Sequence, residues 1–151
     1  MMLTLRQVPT GYLRPMSALG EPHVELAFDP VPAAPTQARR ALRTILDDDD
    51  PIREAVTLAV SELVTNVVLH TGAGGVLRAW DPKPDVPLRV EIEDAEPTTP
   101  RVAPVDHARS TGRGLRIVSQ LADDWGSRPT RRGKIVWAEF DRLRGRHALD
   151  R

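Results

Sequence analysis

Glu62, Asn66 and His70 recur at four-residue spacing inside the otherwise largely apolar run V-S-E-L-V-T-N-V-V-L-H (60–70). At about 100° per residue, that spacing stacks three polar side chains along one edge of a helix. Asn66 projects between Ala55 and Ala59, inside the stripe made by Ile52, Ala55, Val56, Ala59, Val60, Leu63 and Val67. Burying an unsatisfied amide costs about 1–3 kcal/mol, and a carboxylate costs more unless it is paired or wet. Two arrangements avoid that cost. Either the edge lies at a solvent boundary with Asn66 bonded to backbone, or it floors a polar ligand pocket. In a pocket, Asn66 would offer an oxygen to a hard cation and Glu62 would be a carboxylate base.

Two further features have the right residue types. Asp94 ends the alternation Val90-Glu91-Ile92-Glu93. A strand-end aspartate is either a turn former or a carboxylate able to accept from an amino group such as adenine N6. The segment Ser110-Thr111-Gly112-Arg113-Gly114-Leu115 reads as a glycine-rich turn opening into a helix. There backbone N–H groups can approach an anion closely, the helix N-terminus favours negative charge, and Arg113 could add a phosphate contact. The turn is neither a Walker loop, which needs G-K-[ST], nor a Rossmann turn, which should follow the first strand.

These residues need elements to hold them. His23 to Phe28 alternates as a half-buried strand and is stopped by Pro30 and Pro32. Thr36 is the expected cap of a helix from about Gln37 to Leu46, with Ala38, Ala41, Leu42 and Ile45 on one face. The acidic run 47–50 reads as a solvated turn whose last member caps a helix from about Pro51 to His70, closed by Thr71-Gly72. Strands are expected at 75–80, 88–92 and 134–140, the first two joined through a turn at 81–85. The stretch from Glu96 to Gly114 has no periodicity and the length of a functional lid. A last helix is expected from Leu115 to about Asp124. The fold class is α+β: a two-layer α/β sandwich with helices packed on one face of a mixed, mainly antiparallel sheet. Residues 1–20 read as a loosely ordered leader, 21–142 as one domain and 143–151 as a tail.

Composition excludes several function classes. Lys plus Arg and Asp plus Glu both number 21, so no global field recruits nucleic acid or an anionic membrane. Cysteine is absent, which removes disulfides, thiolate zinc sites and thiol nucleophiles. His23, His70, His107 and His147 are scattered without metal-ligand spacing. No run of about 18 apolar residues suggests a bilayer span, and the first residues lack a secretory h-region. A cytoplasmic protein is expected.

Taken together, E-L-V-T-N (62–66), V-E-I-E-D (90–94) and G-R-G-L (112–115) resemble the N, G1 and G2 boxes of the histidine-kinase-like (GHKL, Bergerat) ATPase superfamily. The chain is similar in particular to its small stand-alone anti-sigma-factor serine/threonine kinases. W-G…G-K-I-V-W-A (125–138) also looks like this family, and the resemblance spans roughly 24–141. It implies ATP and Mg²⁺ as cofactors, with Asn66 on the magnesium and Glu62 as general base toward a protein serine. It also implies Asp94 on the adenine amino group, Gly112 and Gly114 as lid hinges, and Arg113 and Leu115 in the same nucleotide-binding box. The implied partners are a sigma factor or an anti-anti-sigma factor, with a homodimer as the expected assembly. Two departures stand out: Glu96 replaces the usual glycine after the G1 aspartate, and Ile135 replaces a threonine near the final strand. A nucleotide-binding interaction module without catalysis is the competing expectation.

Overall fold

The computed structural model describes residues 19–82, 85–95 and 111–144, with the side chains of 111–113 left out. Its elements in chain order are β1 (Val24–Phe28), α1 (Ala34–Leu42), α2 (Arg53–His70), β2 (Gly75–Trp80), β3 (Leu88–Asp94), α3 (Thr111–Leu121), β4 (Asp124–Pro129) and β5 (Lys134–Phe140). The strands form one sheet in the order β1-β2-β3-β5-β4, and all four ladders are antiparallel. The expected α+β two-layer sandwich is what forms. No parallel pair appears among the described strands, so the mixed component of that expectation is not met; β1, β2 and β3 form a meander, β5 pairs with β3, and β4 lies outside β5 at the edge.

One face of each strand supplies the core. Val24, Phe28, Leu77, Ala79, Leu88, Val90, Ile92, Val136, Ala138 and Phe140 join the helices in a single apolar cluster. Helix α2 lies at its centre, touching α1, α3 and β3. That explains why Val64 is buried along with Val60, Leu63 and Val67: a helix covered on several sides needs an apolar belt wider than one stripe. Each such side chain contributes about 1.5–3 kcal/mol on burial.

The boundaries of α1 and α2 differ from the sequence expectation for local reasons. α1 starts at Ala34, earlier than Gln37, because Pro35 is tolerated in a first turn where its missing N–H would be unsatisfied anyway. Its N-cap is Ala33, and Thr36 lies inside the helix, where its Oγ1 accepts from Arg39 Nη2 at 2.9 Å. Arg39 Nη1 reaches on to Ser61 Oγ at 3.1 Å and ties α1 to α2. Asp50 does not cap α2; its Oδ1 accepts from the Ile52 N–H at 3.1 Å, and the helix begins at Arg53. Asp47, Asp48 and Asp49 are exposed, whereas Asp50 is bound by Arg142, which also grips Asp81 through two hydrogen bonds. The hydrogen bonds to Asp81 raise the Arg142 pKa beyond its already high value, so it stays charged at any working pH. The clamp fixes the start of α2 to the end of β2. Gly72 at φ 59° supplies the expected left-handed stop after α2.

β4 was not expected, because D-W-G-S-R-P neither alternates nor avoids Gly and Pro. It is an edge strand held by β5, and Pro129 stands at its end, where a missing donor is harmless. Gly126 is required there: a Cβ would fall 2.9 Å from the Trp137 ring. The last helix accordingly stops at Leu121 and does not reach Asp124.

Candidate functional site

The edge of α2 that carries Glu62 and Asn66 is met by the first turn of α3. A Cβ on Gly114 would lie 3.1 Å from Glu62 Oε2, 3.2 Å from Asn66 Nδ2 and 3.2 Å from Asn66 Oδ1. Three residues separated by up to 52 positions in sequence therefore share one spot, and only glycine lets the α3 backbone approach so closely. Glu62 and Asn66 are half-buried and Gly114 is buried. The boundary and pocket arrangements left open by the spacing thus merge: the edge is partly wet, and a second backbone is pressed against it. His70, the third member of the stack, is exposed at the end of α2 and takes no part.

Gly112 and Gly114 are not a turn ahead of a helix, since α3 begins at Thr111 and includes both. Glycine costs a helix interior about 1 kcal/mol relative to alanine. At position 114 the close contact with α2 supplies the reason; side chains at 112 and 113 lie outside the described residues, as do Glu96 and the expected lid up to residue 110. Leu115 is 4% exposed within the core cluster, so its side chain serves the core. On its other side Glu62 borders an open groove of ≈ 830 Å³ between α1 and α2, lined also by Arg39, Glu54, Thr57, Leu58 and Ser61.

Asp94 ends β3 on the helix-facing side of the sheet, in register with Lys134, and is 7% exposed. Its Oδ2 is 3.2 Å from Lys134 Nζ. The end of β3 is confined from two sides. A Cβ on Gly75 would lie 2.6 Å from the Glu93 carbonyl oxygen, and one on Gly133 would lie 2.0 Å from the Asp94 carbonyl oxygen. Residues 71–74 connect α2 directly to Gly75, so Asp94 stands at the end of the sheet where α2 finishes. Ile135, by contrast, pairs with Glu93 on the face turned away from the helices. Its lack of a hydroxyl therefore removes nothing on the Asp94 side; the β5 residue that shares Asp94's face and register is Lys134.

The donor set suits a phosphate-carried cation better than a protein cage. Among the described residues no group of three or more His, Cys, Asp or Glu could hold a metal. Asn66 offers one neutral oxygen, and a magnesium ion commonly takes only one or two protein ligands beside phosphate and water. The first-turn N–H groups of any helix have no partner within it, and those of α3 are a natural counterpart to an anion.

Gly114 also provides a direct test of this contact. In Gly114→Ala the atoms nearest the new methyl are the ends of two flexible side chains, which can move aside. We expect the fold to persist, with the unfolding midpoint within a few degrees of the native one. ATP affinity should fall about tenfold, the equivalent of one lost hydrogen bond to a charged group. Calorimetric titration of both proteins checks it; unchanged affinity would mean that the Glu62–Asn66–Gly114 contact does not border the nucleotide.

No described helix is long and apolar enough to cross a membrane. A search of curated proteins finds no match. The family model of the histidine kinase-like ATPase domain matches residues 28–140, from the last residue of β1 to the last residue of β5. With three-quarters of its length inside that match, the chain belongs to the histidine kinase-like ATPase family and is an ATP-binding domain.

Proposed function

We propose that this ATP-binding domain is a magnesium-dependent serine/threonine protein kinase that acts in the cytoplasm as an anti-sigma factor by partner switching. The observation that carries the reading is the convergence of Glu62, Asn66 and the Gly114 backbone on one spot. Phosphoryl transfer asks a protein mainly for positioning, charge stabilisation and a base near the nucleophile. Asn66 would hold Mg²⁺ together with the phosphates, and the N–H groups of the α3 first turn would face their negative charge. Asp94 would accept from the adenine amino group. Bound ATP supplies the terminal phosphoryl group. The protein hydroxyl oxygen forms the new bond to phosphorus, the bond to the β-phosphate oxygen breaks with its electron pair going to ADP, and Glu62 takes the hydroxyl proton. The groove between α1 and α2 gives a protein serine or threonine a route to Glu62.

The test is transfer of the terminal phosphate from ATP with magnesium to candidate anti-anti-sigma proteins, read as a phosphoserine or phosphothreonine on the acceptor. Transfer supports the reading. Its absence from every candidate, with protein that binds ATP, contradicts it.

A second reading rests on the ion pair between Lys134 and Asp94. A lysine on the adenine-accepting carboxylate opposes its use by an amino group, which suits a nucleotide-binding module that sequesters its partner without chemistry. In that case Glu62→Ala leaves both partner capture and the cellular effect intact. Loss of the effect with capture retained points back to the kinase.

A further inference from the structure

In a two-layer fold the sheet face turned away from the helices is normally the wet one. Here its centre is dry. Trp80 is 3% exposed, Ile135 3%, Trp137 4%, Arg89 5% and Glu91 0%. The register gathers them: Trp80 stands opposite Arg89, Glu91 opposite Trp137 and Glu93 opposite Ile135. None of them belongs to the core cluster that the helices form with the other face. Lateral neighbours explain part of the burial, since the Arg89 guanidinium lies 4.4 Å from the Trp137 ring centroid and Gly126 lets the same ring lie against its backbone. The three helices cannot explain the rest, because they cover the opposite side.

We propose that the chain's own N-terminal segment, residues 1–18, docks across this face. The described chain enters at its rim. The Gly20 carbonyl accepts from Trp80 Nε1 at 3.1 Å, and His23 Nδ1 accepts from the Asp81 N–H at 3.0 Å, so residues 20–23 run along the end of β2. Reach is ample: 18 extended residues span up to roughly 60 Å, against about 20 Å across five strands. The composition is complementary. The segment carries Leu3, Leu5, Val8, Tyr12 and Leu13 with Arg6 and Arg14, and it has no aspartate or glutamate. The face presents Glu25, Glu91, Glu93 and Glu139 against Arg78, Arg89 and Arg128, an acidic excess beside apolar rings. At its centre Glu91 Oε2 is buried without a hydrogen bond, with Arg128 Nη2 3.6 Å away. A buried carboxylate oxygen in that state is costly, and a docked N–H or guanidinium relieves it.

The test uses the full chain and acrylamide quenching of its tryptophan fluorescence, because Trp80 and Trp137 lie on this face and only Trp125 packs against the core. The native chain should quench weakly. A full-length variant carrying Leu3→Ser, Leu5→Ser, Arg6→Glu and Arg14→Glu should quench severalfold more strongly while still unfolding in one cooperative transition. Unchanged quenching in that variant overturns the proposal. So does a native dimer whose quenching rises on dilution and ignores the leader substitutions, which assigns the face to a second copy. Limited trypsin digestion of the native chain is a check independent of any variant. Slow cleavage at Arg6, which unlike Arg14 is not followed by proline, and stronger quenching once it is cut support docking; rapid cleavage there with no change in quenching contradicts it.

Discussion

Glu62→Gln is expected to lower the rate of phosphoryl transfer to the protein acceptor about 10²–10⁴-fold, the usual contribution of a positioned base. Glutamine keeps the shape of the side chain that lies against Gly114, so α3 need not move. It cannot take the hydroxyl proton. ATP affinity should stay close to native, because the proposed magnesium ligand Asn66 and the adenine acceptor Asp94 are untouched. Single-turnover transfer measured beside nucleotide binding separates the two quantities. Loss of both together would give Glu62 a structural or binding role, and native transfer rates would remove it from the chemistry altogether.

Gly133→Ala should have the largest effect on stability. The turn between β4 and β5 presses on the end of β3, and the new Cβ would fall 2.0 Å from the Asp94 carbonyl oxygen and 2.7 Å from Ala95 Cα. Both are backbone atoms inside a three-strand junction, so neither can swing aside as a side-chain tip does. Overpacking of this kind costs about 2–4 kcal/mol, which for a domain this size lowers the unfolding midpoint by roughly 5–15 °C. The strand end that moves is the one bearing Asp94, so nucleotide affinity should fall as well. Thermal unfolding of the variant, with and without ATP, measures both effects. An unchanged midpoint would show that the turn has another arrangement.

The elements that were legible in the sequence are those whose period is local. α2 announces itself by a stripe repeated over eighteen residues, and β2, β3 and β5 by alternation bounded with Gly and Pro. β4 was illegible because D-W-G-S-R-P becomes a strand only through its ladder to β5. The start of α3 was misread for a related reason: Gly112 and Gly114 look like a turn to any propensity argument, and it is packing against Glu62 and Asn66 that makes glycine fit inside a helix. The edge of α2 could be suspected from burial cost alone, yet choosing between a solvent boundary and a pocket needed α3. Lys134 was missed as Asp94's partner because pairing across β3 and β5 depends on register. Alternation along β3 puts Arg89 and Glu91 on the face away from the helices, and nothing local signals that they are buried.

The central claim is that ATP and magnesium sit against the Glu62–Asn66 edge of α2. Thermal unfolding of the native chain and of Asn66→Ala, each with and without magnesium and ATP, tests it most directly. A ligand at about 100 times its Kd adds roughly 2.7 kcal/mol, which corresponds to a rise of roughly 5–10 °C for this domain. The account predicts that rise in the native chain and little or none in Asn66→Ala, with the two unliganded midpoints close together. An equal rise in both proteins would put the nucleotide elsewhere, and no rise in the native chain at millimolar ATP would contradict a working site on this edge.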